Sequence, residues 1–355
     1  MRLRTLLTTA TAALATAGCL TAAGPAAATA RHACSPAVSI DSYSDALDKT
    51  TYGGRYAGNF SALAVDRDGA LAALSDRSTL FRLDAHTLRP RGAHPLTGED
   101  GGALDSEGLV VDRDGTRLVS SESEPAVRRY APRPGPHAGP ARLLERLPLP
   151  DGRLRPAPAG RARANGTFEG LTLLPGGRTL LAAMEYPLDG DDAGTVRFQT
   201  WRRGGAGEPF RAGAQYAYRV DAGLGVPEVA AVPGGRLLVL ERGFTTGVGN
   251  TVRLYLADPR RAADVRAVGR LNGTEAMPKA LLADLVTCPS LGAPARQPQP
   301  NPLLDNIEGM AVTGRGSGGA LTVLLVSDDN QSDAQTTRFY RLRVRPEAAG
   351  AAPRS

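Results

Sequence analysis

Five pairs of acidic or hydroxyl positions recur along this 355-residue chain: Ser61 with Asp76, Glu107 with Glu122, Glu169 with Glu185, Glu228 with Glu241, and Glu308 with Asp328. Carboxylates crowded into one space repel one another unless they are protonated, paired with arginine or neutralised by a cation. An all-oxygen set at varied approach angles suits calcium, which takes about six to eight oxygen ligands. Zinc is a poorer match, because the four histidines, at 32, 86, 94 and 137, form no compact ligand motif with these acids. Calcium so held polarises an ester carbonyl or phosphoryl oxygen and helps activate water. Glu107, Glu169 and Glu308 are the candidate metal ligands, and Glu185 and Asp328 the candidates for a base or a holder of the attacking water. Asp76, Glu122, Glu228, Glu241 and Asn330 are additional candidates, and Arg77, Arg242 and Arg338 are candidate anion binders. Each also has an architectural reading: the glutamates accept hydrogen bonds from adjacent turns, the arginines pair between structural units, and Asn330 caps a turn.

The elements that would position these groups are β-hairpins. Asn165 to Tyr186 reads NGTFEGLTLLPGGRTLLAAMEY, two apolar runs of strand length around a Pro-Gly-Gly turn, with Glu169 and Glu185 at the same open end. The pattern returns as FSALAVDRDGALAALSDRS, DSEGLVVDRDGTRLVSSES, PEVAAVPGGRLLVLERGF and NIEGMAVTGRGSGGALTVLLVSDDN, and the VDRDG turn itself occurs twice. The starting positions lie 46, 62, 59 and 80 residues apart, room for one four-stranded unit each. The longest interval has room for a further, divergent unit, and 275–285 reads as a helix broken by Pro278. Radial stacking protects strand edges and buries apolar faces between neighbouring sheets. The fold expected is therefore all-β, a single β-propeller of six blades, in which an amino-terminal strand could complete the last blade. A β-sandwich is the alternative.

Composition narrows the class further. Residues 1–30 carry Arg2 and Arg4 ahead of an Ala/Leu/Thr-rich stretch and end in Ala28-Thr29-Ala30, the pattern of a secretory signal peptide cleaved after Ala30. Pro25 and several Thr and Gly residues interrupt the apolar run before it reaches membrane-spanning length, so no transmembrane segment is expected in the mature chain. Secretion to the extracellular space follows, with retention at the cell envelope left open. Beyond the leader come a lead-in at 31–54, the propeller at 55–344 and a flexible tail at 345–355. Cys34 and Cys288 are the cysteines that remain, and in an oxidising compartment they pair across a loop of more than 250 residues; two separate thiols are the alternative. Losing Arg2 and Arg4 leaves 40 basic residues against 36 acids, and all but Lys49 and Lys279 of the basic residues are arginine. That balance, without a dense basic run, speaks against a nucleic-acid partner.

The repeats FSALAVDRDGALAALSDRS, DSEGLVVDRDG with SSE, FEGLTLLPGGRTLLAAMEY, LLVLERGF, and NIEGMAVTG with SDDN together resemble the bacterial phytase-like family, also described as having esterase-like activity of phytase. The resemblance covers residues 55 to 344. It implies a secreted propeller-like hydrolase and carries the acidic motif positions onto Glu107, Glu169, Glu185, Glu241, Glu308 and Asp328. Ser61 departs from the glutamate that strict internal repetition expects. The function expected is a calcium-assisted phosphoester or carboxylester hydrolase acting on a small molecule. The alternative is a non-enzymatic extracellular propeller that binds a ligand and keeps a structural calcium ion. No protein partner is indicated.

Overall fold

Apolar runs broken by Asp-Gly and Gly-Gly turns become antiparallel strands along the whole chain, described here for residues 32–132 and 139–348 of a computed structural model. The expected signal peptide and residues 349–355 of the expected tail lie outside the described residues. Strand β1 (Val38–Ser44) comes first, followed by a small hairpin of β2 (Thr51–Tyr52) and β3 (Arg55–Tyr56). Blade 1 is β4 (Phe60–Val65), β5 (Leu71–Ser75), β6 (Thr79–Leu83) and β7 (Pro90–Pro95). Blade 2 is β8 (Ser106–Val111), β9 (Arg117–Ser121), β10 (Ala126–Tyr130) and β11 (Leu143–Arg146). Blade 3 is β12 (Phe168–Leu173), β13 (Thr179–Met184), β14 (Thr195–Arg202) and β15 (Arg211–Arg219). Blade 4 is β16 (Gly225–Ala231), β17 (Leu237–Thr245), β18 (Gly249–Ala257) and β19 (Lys279–Asp284). Blade 5 is β20 (Ile307–Arg315), β21 (Leu321–Ser327) and β22 (Phe339–Val344), with β1 paired antiparallel on the outside of β22.

The propeller thus has five blades, not six. The inner strands pack cyclically, β4 on β8, β8 on β12, β12 on β16, β16 on β20 and β20 on β4. Five large apolar clusters fill the five gaps between neighbouring blades. Two features account for the miscount. The long interval before Glu308 holds the extended β17–β18 hairpin, β19 and a loop, with no spare sheet. Lys279–Asp284, read as part of a broken helix, is the fourth strand of blade 4. Pro278 is tolerated because it stands just before that strand rather than inside it.

Two local devices set the spacing of the blades. A β-carbon on Gly108 would lie 2.5 Å from the Glu169 carbonyl oxygen, and one on Gly170 would lie 2.6 Å from the Glu228 backbone. Glycine after the glutamate is therefore what lets neighbouring inner strands close around the axis. At the opposite end of the strands the VDRDG turns supply clamps. Arg117 of blade 2 reaches Asp66 at 2.6 Å, and Arg203 grips the buried Asp112 with two bonds of 2.6 and 2.7 Å. A disulfide joins Cys34 to Cys288, tying the segment ahead of β1 to the connection between blades 4 and 5.

Candidate active site

Every inner hairpin carries a one-residue bulge near the start of its first strand. The pairs flanking it are Phe60↔Ser75, Ser106↔Ser121, Phe168↔Met184, Gly225↔Arg242 and Ile307↔Ser327. A bulge re-aims the side chain it carries. The residue after each first partner is Ser61, Glu107, Glu169, Val226 or Glu308, and the residue after each second partner is Asp76, Glu122, Glu185, Gly243 or Asp328. The N–H groups of Asp76, Glu122, Glu185 and Asp328 donate to the carbonyls of Asn59, Asp105, Thr167 and Asn306, which pins the second series to the strand beside it.

Blade 4 breaks the pattern. Its equivalent positions are the uncharged Val226 and Gly243, and Glu228 and Glu241 each stand two residues away from the acid position. Glu228 is buried in the channel, where its carboxylate accepts the N–H groups of Leu171 and Val229. Glu241 is buried between blades 3 and 4 and accepts from the Tyr218 hydroxyl, the Lys279 ammonium and the Asp221 N–H. What blade 4 sends to the mouth is Arg242, 3.0 Å from Glu308 and 3.4 Å from Glu185.

These groups share one cavity of about 310 Å³ at the mouth of the channel, lined by Asp76, Asp105, Glu107, Glu122, Glu169, Glu185, Glu308 and Asp328. Ser61, Asn165, Asn330, Tyr186, Arg163 and Arg242 complete its wall. Eight carboxyl groups therefore face two guanidinium groups, and no aliphatic side chain lines the cavity. Burial first, and then the neighbouring carboxylates, push Glu107, Glu169 and Asp328 well above the ordinary carboxyl range. Burial and the Glu185 charge raise Glu122 to about 8. Glu308 is raised by burial to about 7, with Arg242 holding it down. Two groups of oxygens lie within 4.8 Å of one another, Asp105 with Glu107 and Glu122, and Glu122 with Glu169 and Glu185. Such donor sets, all oxygen and short of positive charge, are able to coordinate a metal ion.

Two arginine candidates and the asparagine candidate lie elsewhere or at the edge. Arg77 is exposed beside Asp76 and outside the lining. Arg338 is buried behind blade 5, held by Asp45 and by the carbonyls of Pro294, Pro302 and Leu303. Asn330 lies on the cavity rim with its N–H donating to Asp328. Asp105, Arg163, Asn165 and Tyr186 belong to the wall without having been singled out in the sequence. Arg163 stacks over the Tyr186 ring at 4.7 Å. A recurring polar residue two places before the acid, in Asn59-Phe-Ser, Asp105-Ser-Glu and Asn306-Ile-Glu, is the signal that points to Asp105.

The profile of the phytase-like family, described as esterase-like activity of phytase, matches residues 55–331. The chain belongs to the phytase-like family. That membership supports a hydrolase-type active site in general terms. No curated protein matches this phytase-like chain. Among solved structures it is similar to the glutaminyl cyclase of Myxococcus xanthus, with 12% identity, a TM-score of 0.42, and coverage of 87% of this chain and 96% of that one. It is also similar to a gluconolactonase candidate, with 13% identity, a TM-score of 0.39, and coverage of 79% and 73%. No helix among the described residues is long and apolar enough to cross a membrane.

Proposed function

We propose that this phytase-like protein is a secreted phosphoester hydrolase that works with calcium held among the carboxylates of blades 2 and 3. The observation that carries the reading is the wall of the cavity, eight carboxyl groups and two guanidinium groups with no aliphatic surface. A carboxylester or lactone site would offer apolar surface beside its metal. A phosphoryl group instead needs cationic partners, and calcium with Arg242 and Arg163 supplies them.

Asp105, Glu107, Glu122, Glu169 and Glu185 are the residues that would hold calcium, with Glu122 common to both oxygen groups. When bound, calcium neutralises these carboxylates, polarises a phosphoryl oxygen and lowers the pKa of its surroundings. Arg242 binds a second phosphoryl oxygen, and Glu308, which accepts from the Asn306 amide at 2.9 Å, orients the guanidinium. Asp328, on the wall contributed by blade 5, takes the proton from the attacking water. Water adds its oxygen to phosphorus as the ester P–O bond breaks, the departing alkoxide takes a proton from solvent, and Asp328 returns its own proton to solvent.

The test is to strip the purified mature chain with a chelator, restore calcium alone, and screen phosphate esters beside carboxylesters and lactones. Calcium is expected to restore phosphoester turnover, and Glu169→Gln to lower it by about 100-fold or more. Full activity in chelator, or an unaltered Glu169→Gln variant, sinks the calcium assignment, and no turnover of any ester once calcium is restored favours a propeller that binds without catalysis. Export is part of the proposal. Protein recovered from the medium is expected to begin at Arg31, and an intact leader there would argue against it.

A further inference from the structure

The hairpin that carries Arg242 continues outward past the edge of its own blade. Gly225↔Arg242 is the last pair between β16 and β17, and Arg253↔Asp284 the last between β18 and β19. Beyond them Gly243↔Thr251, Phe244↔Asn250 and Thr245↔Gly249 form a two-stranded extension, exposed along residues 244–248 and buried at Gly249 and Asn250. Its returning strand is braced opposite Phe244, where the Asn250 N–H donates to Gln299 at 2.8 Å.

Strand alternation fixes which way the tip looks. Leu238 and Leu240 pack toward blade 5, and Arg242, next on that face, reaches Glu308 of blade 5. Phe244 follows on the same face, about 7 Å farther along the strand from the rise per residue. It is 51% exposed, and Val248 in the turn is 54% exposed. These are two of the five exposed large apolar side chains among the described residues. The corresponding connections of blades 1, 2 and 5 begin Asp76-Arg77, Glu122-Ser123 and Asp328-Asp329, all polar. An apolar tip therefore rises from the blade that brings Arg242 to the polar mouth.

We infer that Phe244 and Val248 are specificity-determining residues that take the apolar alcohol portion of an amphiphilic phosphoester whose head enters the acidic cavity. The inference rests on the phosphoester reading for the head. The tail part is independent, because it depends on the hairpin alone. An alcohol chain leaving the phosphoryl group at Arg242 extends outward along the face that Phe244 covers. A wholly polar, multiply charged alcohol gains nothing there.

Binding of methyl-, butyl-, hexyl- and octylphosphonate to the calcium-loaded full chain, by calorimetry, tests this alongside turnover of the matching alkyl phosphates. Wild-type affinity is expected to climb with chain length, up to about fourfold per buried methylene. Phe244→Ser with Val248→Ser is expected to flatten that climb, while methylphosphonate, too short to reach the hairpin, binds both proteins alike. A wild-type protein indifferent to chain length, or a double variant that keeps the gradient, overturns the inference. Phosphonate binding with the expected gradient but no turnover of any phosphate ester would instead leave the tail site standing and remove the hydrolytic reading.

Discussion

Arg242 is the residue on which the charge balance of the mouth turns. It stands at a strand position where blades 1, 2 and 5 carry serine and blade 3 carries methionine, and it meets Glu185 and Glu308 from a largely buried position. Removing one partner from a buried ion pair leaves uncompensated charge. Arg242→Gln is therefore expected to cost the metal-free protein on the order of 3 kcal/mol in a chemical melt. The same change withdraws a positive charge from beside the oxygen groups, so calcium affinity is expected to rise while phosphoester turnover falls about 100-fold. Weaker calcium binding in that variant would show that the guanidinium supports the cation site instead of competing with it. Glu241 offers a contrast: its carboxylate is taken up by Tyr218, Lys279 and Asp221, so it has a packing explanation that needs no ligand.

Among the elements, β1 is the one that completes the last blade, and the Cys34–Cys288 bond holds the segment leading into it. Closing so long a loop by a covalent link restricts the unfolded chain, so Cys34→Ser is expected to lower stability by about 2–5 kcal/mol. Urea melts with and without reductant check this, and a variant as stable as the oxidised parent would refute it. The four regular hairpins were legible in the sequence because everything that defines them is local: a Glu-Gly or Phe-Ser step, a strand-length apolar run and a turn of Asp-Gly or Gly-Gly. Blade 4 was not. A slip of two residues keeps every side chain on its own face, so Glu228 and Glu241 pass every alternation test that Val226 and Gly243 would pass. Only the cross-strand pair Gly225↔Arg242 reveals the true register. Arg163 and Tyr186 escaped for a different reason, since they lie on connections where no periodicity marks a direction, whereas Asp105 is marked only by the polar residue that recurs two places before the acid. The blade count failed because chain length between repeats does not distinguish a hidden sheet from a long hairpin and loop.

At the scale of the whole molecule, the mouth makes stability depend on pH in a direction unusual for carboxylates. Glu122 is raised from 4.5 to about 8 and Glu308 from 4.5 to about 7. Between those values the folded, metal-free protein binds more protons than the unfolded chain, so the contribution is full below about pH 4.5 and declines as pH rises through 7 to 8. In chelator the melting temperature is expected to fall from pH 5 to pH 8, and saturating calcium to flatten the slope. A melting temperature that climbs across this window in chelator would contradict the burial of these acids. The placement of β1 outside β22 also has a consequence for biogenesis. Residues 38–44 emerge from the ribosome about 300 residues ahead of their partner at 339–344. Four blades can assemble during translation, but the opening strand waits unpaired until the last strand of blade 5 has been made, and through that wait its edge is open to mispairing.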